Sequence, residues 1–139
     1  MQKGQLSIDL IIALIATITI VVSLSTIILT YSESNERSII QQQIQYNANK
    51  AASIITTSQA LDDTNFTIKL NIEKIYYTDQ NKLGKIVYPT ITNYPTENKI
   101  NYSIIINGQK QDANSNYYTN SKTTIDTTTL GKLVIKNAS

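Results

Sequence analysis

Asp9 is a carboxylate at the edge of a long segment that carries no charge. The segment that follows it, residues 10–32, contains no Asp, Glu, Lys or Arg and is rich in Ile, Leu and Val. An ionised carboxylate in apolar surroundings is strongly unfavourable unless it is paired. We therefore expect Asp9 to have a partner of opposite charge, and an ion pair is the chemistry that it can supply.

Side chains that usually carry catalysis are scarce in this chain. Its 139 residues include no Cys and no His, which excludes thiolate nucleophiles and removes the commonest zinc ligand and neutral-pH base. The 12 basic and 10 acidic residues are dispersed and give a formal net charge of +2, so the sequence has no basic patch for nucleic acid. We predict a protein that is not an enzyme and has no cofactor, metal or nucleic-acid partner.

Three Asn-x-Ser/Thr sequons are candidate N-glycosylation sites, at Asn65, Asn101 and Asn137. A chain with 14 Asn and 30 Ser plus Thr residues contains several such triplets by chance. The sequons therefore permit glycosylation without indicating it. Asn65 falls at the start of a predicted strand and Asn101 within one, and a glycan at either position requires an outward-facing side chain.

Residues 10–32 are long enough to cross a membrane as a helix. About 20 apolar residues, rising 1.5 Å each, match the roughly 30 Å hydrocarbon core of a bilayer. Ile, Val and Thr favour strands in water, but lipid requires backbone hydrogen bonds within the segment and so favours a helix. The run is longer than the apolar stretch of a secretory signal, and no Ala-x-Ala site follows it. Lys3 precedes it, which favours a cytoplasmic N-terminus.

The helix is expected to continue beyond the apolar segment. No Gly or Pro occurs between Gln5 and Leu83, and a helix from about residue 6 to about residue 60 is predicted. After residue 33, apolar side chains recur near every 3.6 residues. The predicted inward-facing residues are Ile39, Ile40, Ile44, Ala48, Ala51, Ala52 and Ile55. Hydroxyls within the apolar segment are expected to donate to carbonyls one turn earlier. These hydroxyls belong to Thr17, Thr19, Ser23, Ser25 and Thr26.

The stretch KGQLSID resembles the class III signal peptide of archaeal type IV pilin-like proteins. In that family a short basic leader ends in Gly, and a dedicated membrane peptidase cuts directly after it. The mature chain then begins with Gln, with Ser at its third position and an acidic residue at its fifth. Here the leader ends in Lys3-Gly4, and the matching mature positions are Gln5, Ser7 and Asp9. The resemblance covers about the first 32 residues and implies cleavage after Gly4.

Such cleavage would create an α-amine on Gln5, which is largely protonated near neutral pH. Asp9 lies four residues further along the predicted helix and on the same face. It can pair with the amine of its own chain or with that of a neighbouring subunit. Only one axial stagger between packed helices satisfies both groups, so we predict that Asp9 and the amine of Gln5 set the register between subunits.

The C-terminal half of the chain is predicted to be β-rich. After about residue 62 the apolar period changes from 3.6 to 2, which is typical of strands. The predicted strands cover residues 66–72, 85–92, 100–106 and 130–136. Pro89 indicates an edge or a bulge in the second of them. Asn107-Gly108 predicts a two-residue turn, and residues 109–122 are predicted to be a loop with at most a short return strand.

The predicted fold class is α+β, with a long N-terminal hydrophobic and amphipathic helix and a small antiparallel β-sheet headgroup. This is the layout that the resemblance to type IV pilins implies. The predicted divisions are a cleaved leader (1–4), a membrane and filament-core helix (5–32), its amphipathic continuation (33–61) and an extracellular headgroup (62–139).

The resemblance implies a structural subunit of an archaeal type IV pilus-like surface filament. The subunit would be membrane-inserted first, then extracellular, polymerised through its N-terminal helix and used in adhesion. Implied partners are other copies of the chain, the prepilin peptidase, the assembly platform with its ATPase, and the membrane before assembly. The alternative is a membrane-anchored extracellular binding module or a minor tip pilin outside the filament body.

Overall fold

The computed structural model describes residues 2–61, 64–78, 83–119 and 122–137, with side chains from residue 8 onward. Its first element is one helix, α1, Gln2–Ser58, followed by a short 3-10 helix, Gln59–Leu61. This confirms the prediction of a single long helix, because residues that break helices are almost absent from its length. The chain divides into two compact units, Met1–Arg37 and Ser38–Ser139.

Residues 38–58 of α1 bury one face in the core of the second unit. The buried apolar residues on this face are Ile40, Ile44, Ala48, Ala51, Ala52 and Ile55. All six were predicted from their spacing. Ile39, the seventh predicted residue, is 47% exposed instead. It precedes Ile40 by one residue and therefore lies about 100° further round the helix.

The described part of the headgroup forms eight strands. They are β1 Phe66–Asn71, β2 Ile75–Thr78, β3 Gly84–Val87, β4 Thr90–Tyr94, β5 Lys99–Ile106, β6 Gln109–Asn116, β7 Thr123–Asp126 and β8 Lys132–Asn137. The strands form three small antiparallel sheets, ordered β1-β8-β7, β2-β3 and β4-β5-β6, rather than one sheet. The predicted α+β class, with an N-terminal helix and antiparallel pairing, is confirmed. β5 and β8 supply much of the core through Ile100, Tyr102, Ile104, Leu133 and Ile135.

The prediction of one strand over residues 85–92 is wrong. The chain forms β3 up to Val87 and β4 from Thr90, and the two strands belong to different sheets. Pro89 lies in the break and is buried. Because proline has no backbone N–H, a continuous ladder through it would lose a hydrogen bond. The proline therefore separates two sheets instead of making a bulge in one strand.

The prediction of a loop after Asn107-Gly108 is also largely wrong. The turn itself is confirmed, because Asn107 and Gly108 have φ values of 50° and 76°, as a type I′ hairpin turn requires. β6 then pairs with β5 along its full length, from Gln109 to Asn116. Its sequence, QKQDANSN, lacks the β-branched and aromatic residues that predict strands. Pairing with β5 and burial of Ala113 hold it in place instead.

Two glutamines of α1 bond to the β6 edge of the β4-β5-β6 sheet. The Nε2 groups of Gln41 and Gln45 donate to backbone carbonyls of β6, those of Asp112 and Asn114, at 2.8 and 3.2 Å. Four helical residues rise about 6 Å and two strand residues about 6.6 Å, so every fourth helix position matches every second strand position. Edge carbonyls that could pair with another chain are thereby satisfied.

Candidate functional site on the N-terminal helix

Residues 8–35 of α1 form the candidate site, and all of them are exposed. The large apolar side chains from Ile8 to Leu29 each leave 52–72% of their surface uncovered. Of the described residues, one helix, Ile8–Leu61, is long and apolar enough to cross a membrane by length and composition. Exposed apolar surface on this scale is unfavourable in water. The segment therefore needs lipid or other protein helices around it.

Hydroxyl side chains in this segment bond within their own helix. Each donates to the carbonyl four residues earlier, over 2.8–3.0 Å; the donors are Thr17, Thr19, Ser23, Ser25, Thr26 and Thr30. The prediction made for five of them is confirmed. Because these hydroxyls are already satisfied, the helix can lie in lipid or against another helix without leaving them unbonded.

One side of the helix carries a row of small side chains, here termed the hydroxyl face. Successive steps of three, four, three and four residues define it, and such steps stay on one side of a helix. Its members are Ala16, Thr19, Ser23, Thr26 and Thr30. Ser25 lies about 160° round the helix from Ser23. Small residues on one side allow two membrane helices to approach closely. The predictions above took the hydroxyls singly and missed this face, although the three-four spacing is its signal.

Asp9 lies in line with the hydroxyl face. Steps of three and four residues lead from Asp9 through Ile12 to Ala16, and the Asp9 side chain is exposed. At the other end of the face, the same steps lead to Glu33 and Arg37. A helix face with charges at its two ends and small side chains between them can distinguish one stagger of neighbouring helices from another.

The residues of the processing motif are described less fully. Lys3, Gly4, Gln5 and Ser7 belong to α1 by their backbone, and their side chains lie outside the described part of the structure. Helical spacing puts Gln5 one turn before Asp9, which is the geometry that pairing within one chain requires. Cleavage after Gly4 and the ion pair with Asp9 remain predictions.

The three sequon asparagines differ in how exposed their side chains are. Asn65 is exposed. Asn101 is only 6% exposed, and its Nδ2 donates to two side-chain oxygens of β6, at 3.2 and 2.7 Å. Asn137 is 4% exposed, and its Nδ2 donates to the carbonyl of Thr64 at 3.2 Å. A glycan on Asn101 or Asn137 would have to break these bonds and draw a buried side chain to the surface, whereas Asn65 already lies at the surface.

Two further observations bear on alternative sites. Among the described residues, no group of three His, Cys, Asp or Glu side chains is placed to hold a metal ion. No protein-family model, curated protein or solved structure matches the chain significantly. The candidate site therefore rests on the residues of α1 themselves.

Proposed function

We propose that this chain is a structural subunit of an archaeal type IV pilus-like surface filament. It is inserted in the membrane as a precursor, cut after Gly4 by a prepilin peptidase, and polymerised through its N-terminal helix by an assembly platform with its ATPase. The filament serves adhesion or surface attachment. The observation that carries the proposal is the KGQLSID stretch directly before an uncharged helical segment whose described side chains are all exposed.

The helix suits both environments that this route requires. In the membrane, lipid covers the apolar side chains and the backbone is satisfied by the helix itself. In the filament, helices of neighbouring copies cover one another. Lipid tails are as apolar as Leu side chains, so hydrophobicity alone does not favour moving the helix from the membrane into the filament. How closely the helices pack decides whether the filament is preferred. The hydroxyl face supplies the small side chains that close packing needs.

In this proposal Asp9 sets the axial stagger between the N-terminal helices of neighbouring copies. A carboxylate within a bundle of apolar helices is tolerated when it meets a positive charge, and an unpaired one is strongly unfavourable. The amine that cleavage exposes on Gln5 of a neighbouring copy is the proposed partner. Cleavage is then a precondition for assembly, because the partner charge lies in the wrong place until the leader has been removed.

The first experiment recovers sheared surface material, images it by electron microscopy and sequences the N-terminus of this protein within it. The proposal expects filaments built mainly from this chain, with a first residue of Gln5. Protein that stays in the membrane and begins at Met1 would contradict the proposal and favour the alternative of a membrane-anchored binding module. A Gln5 start in a trace component of the filaments would favour a minor tip pilin.

The second experiment replaces Asp9 and follows cleavage and filament yield separately. Asp9→Ala should leave cleavage intact and lower filament yield by about tenfold or more, because an unpaired amine costs well over 1.4 kcal/mol in an apolar bundle. Asp9→Glu, which keeps the charge, is the control and should retain most filaments. Normal filaments from the Asp9→Ala chain would refute the register role.

A third experiment asks which side of the helix packs. Ser23→Leu and Ser25→Leu add the same apolar volume at nearly the same depth, and each removes one internal hydrogen bond, of 2.8 and 2.9 Å. Ser23→Leu should block assembly because it fills the hydroxyl face, whereas Ser25→Leu on the other side should not. Equal filament yields from the two variants would show that the hydroxyl face is not the close contact.

A further inference from the structure

The outward face of the ribbon formed by β2 and β3 carries a large apolar pair although it faces solvent. Tyr76 and Ile86 lie directly opposite each other across the two strands, and they are 61% and 55% exposed. On the inward face of β2, Ile75 is fully buried. An antiparallel ribbon with one face in the core normally presents polar residues on the other. The apolar outward pair is therefore a candidate contact surface.

Two exposed apolar side chains of α1 flank the point at which the helix meets the ribbon. Gln43 joins the helix to the ribbon, because its Oε1 accepts the backbone N–H of Tyr76 at 3.2 Å. Ile39 and Tyr46 lie one turn before and one turn after Gln43 on the same side of the helix, and they are 47% and 57% exposed. Ile39, Tyr46, Tyr76 and Ile86 are here termed the ribbon surface.

An ion pair borders the ribbon surface. Lys50 Nζ donates to the Glu73 carboxylate and lies 5.6 Å from the centroid of the Tyr46 ring. The hydrogen bond to Glu73 raises the pKa of Lys50 above its ordinary value, and the two side chains form an ion pair. An apolar centre that includes aromatic side chains, with a polar rim around it, is the usual composition of a protein–protein contact.

We propose that the ribbon surface is a contact between the headgroups of neighbouring copies of this chain. The inference rests on the proposed filament. Contacts in an open helical assembly are heterologous, so the ribbon surface of one copy packs against a different surface of the next. A second copy is the occupant because the exposed apolar helix of each chain can bring other copies alongside and hold them there.

The size of the ribbon surface fits a contact between copies that are already held together. Four partly exposed side chains offer an area of a few hundred Å², whereas a stable interface buries about 800 Å² on each partner. Separate molecules would therefore not dimerise through this surface alone. Copies joined through their N-terminal helices present it at a high effective concentration, where a small contact adds to the stability of the assembly.

The test replaces the cross-strand pair in the full-length chain and measures how fast native filaments dissociate in heat or detergent. The double variant Tyr76→Thr, Ile86→Thr removes the apolar surface and keeps residues that favour strands. We expect its filaments to dissociate about tenfold faster, which corresponds to the loss of a small contact. Headgroup unfolding should be unchanged, because both side chains are exposed in the single molecule.

The matched control is Ile105→Thr, an apolar side chain of β5 that is 71% exposed. Filaments carrying it should dissociate at the normal rate. An equal effect of Ile105→Thr would assign the change to exposed apolar area in general and overturn the proposal. Filaments of the double variant that dissociate at the normal rate would also overturn it, and the proposed function would then stand alone.

A benzophenone side chain introduced at position 76 identifies the occupant directly in intact filaments. Irradiation should join the headgroup of one copy to the headgroup of a second copy. Cross-links only to another surface protein or to lipid would overturn the proposal, as would the absence of any cross-link. If microscopy finds no filaments of this chain at all, the proposed function fails first, and this inference fails with it.

Discussion

The two compact units of the chain use the same residue types in opposite ways. In the first unit, Ile20 leaves 59% of its surface exposed, whereas Ile44 and Ile55 in the second unit are fully buried. Hydroxyls of the first unit donate to carbonyls of their own helix. Polar side chains of the second, such as Gln41, reach across to backbone groups of strands. The first unit needs partners from outside the chain, and the second builds its own core.

The comparison shows that the arrangement of apolar residues matters more than their number. Residues 10–29 of α1 carry Ile, Leu and Val around most of the helix outside the hydroxyl face, so no single neighbouring element could cover them. Residues 38–58 confine apolar side chains mainly to one stripe, which one layer of strands can cover. A long helix of similar residue types can therefore be an assembly element at one end and a core element at the other.

Ile44→Ala should have the largest effect, because it attacks the unit that has its own core. Removing a fully buried isoleucine side chain should lower the free energy of unfolding of the headgroup by about 2–5 kcal/mol. Ile20→Ala is the control, and it should change the headgroup by less than about 0.5 kcal/mol. Urea unfolding of the full chain in detergent micelles, followed by circular dichroism, measures both. Similar losses from the two variants would abolish the distinction between the units.

Gly131→Ala should have the next largest effect on the headgroup. Gly131 has a φ of 72°, and a Cβ there would lie 2.9 Å from Cε1 of Tyr88. Backbone strain and the clash together should cost about 2–3 kcal/mol. Gly108→Ala is the control. Gly108 has a similar φ of 76°, but no atom lies within 4 Å of the added Cβ, so this substitution should cost only about 1 kcal/mol. Equal losses in the same urea experiment would mean that the ring of Tyr88 moves aside.

Local patterns predicted the parts of the fold that depend on a single element or turn. The stripe from Ile40 to Ile55 follows from helical spacing, and the turn at Asn107-Gly108 follows from two residues that accept positive φ. β6 was missed because its sequence is polar, and its place as a strand depends on β5 lying beside it. β2 and β7 have four residues each, which is too short for a period of two to stand out.

The proposed contact surfaces also divide into those that local sequence predicts and those that it does not. The hydroxyl bonds of the first unit were predictable, because donor and acceptor are four residues apart in one helix. The ribbon surface was not predictable, because it depends on the contact between Gln43 and Tyr76, which are 33 residues apart. The processing motif is a local signal of a third kind, since the proposed prepilin peptidase would recognise it in the sequence directly.

Tyr102→Phe should stabilise the headgroup, in contrast to the substitutions above. The hydroxyls named above in the apolar segment donate to carbonyls of their own helix. The hydroxyl of Tyr102, by contrast, is fully buried and has no hydrogen-bond partner among the described residues. Burial also raises the pKa of this phenol above its ordinary value. Removing an unsatisfied buried hydroxyl should raise the free energy of unfolding by about 1 kcal/mol. A loss of stability would show that the hydroxyl has a partner in solution.

Gln41→Ala tests whether the polar residues of the second unit are needed by its strands. The variant removes the 2.8 Å bond to the carbonyl of Asp112 at the edge of β6. It should lower the free energy of unfolding by about 1 kcal/mol, the net value of one hydrogen bond. Gln42→Ala is the control, because Gln42 is exposed on another side of α1. Amide hydrogen exchange should be faster in β6 of the first variant only.

Asp126→Asn should have the smallest effect, and that effect should depend on pH. The hydroxyl and the backbone N–H of Thr128 both donate to Asp126 Oδ1, at 2.7 and 2.9 Å. These bonds, the hydroxyl bond first, hold the pKa of this carboxyl below its ordinary value of 3.8. A lowered pKa in the folded state adds stability above the ordinary pKa, and that stability is lost as the pH falls through the folded-state value.

Wild type should therefore melt at a higher temperature than Asp126→Asn at about pH 7, and the two melting temperatures should converge below about pH 4. Thr128→Val removes the hydroxyl donor and should weaken the pH dependence without abolishing it, since the backbone N–H remains. A difference that grows on acidification would mean that the charged carboxylate destabilises the fold. The two units thus differ in how they accommodate a carboxylate, Asp126 in the headgroup and Asp9 in the apolar helix. The headgroup carboxylate is satisfied by its own chain, whereas the helix carboxylate is proposed to be satisfied by the amine of another copy.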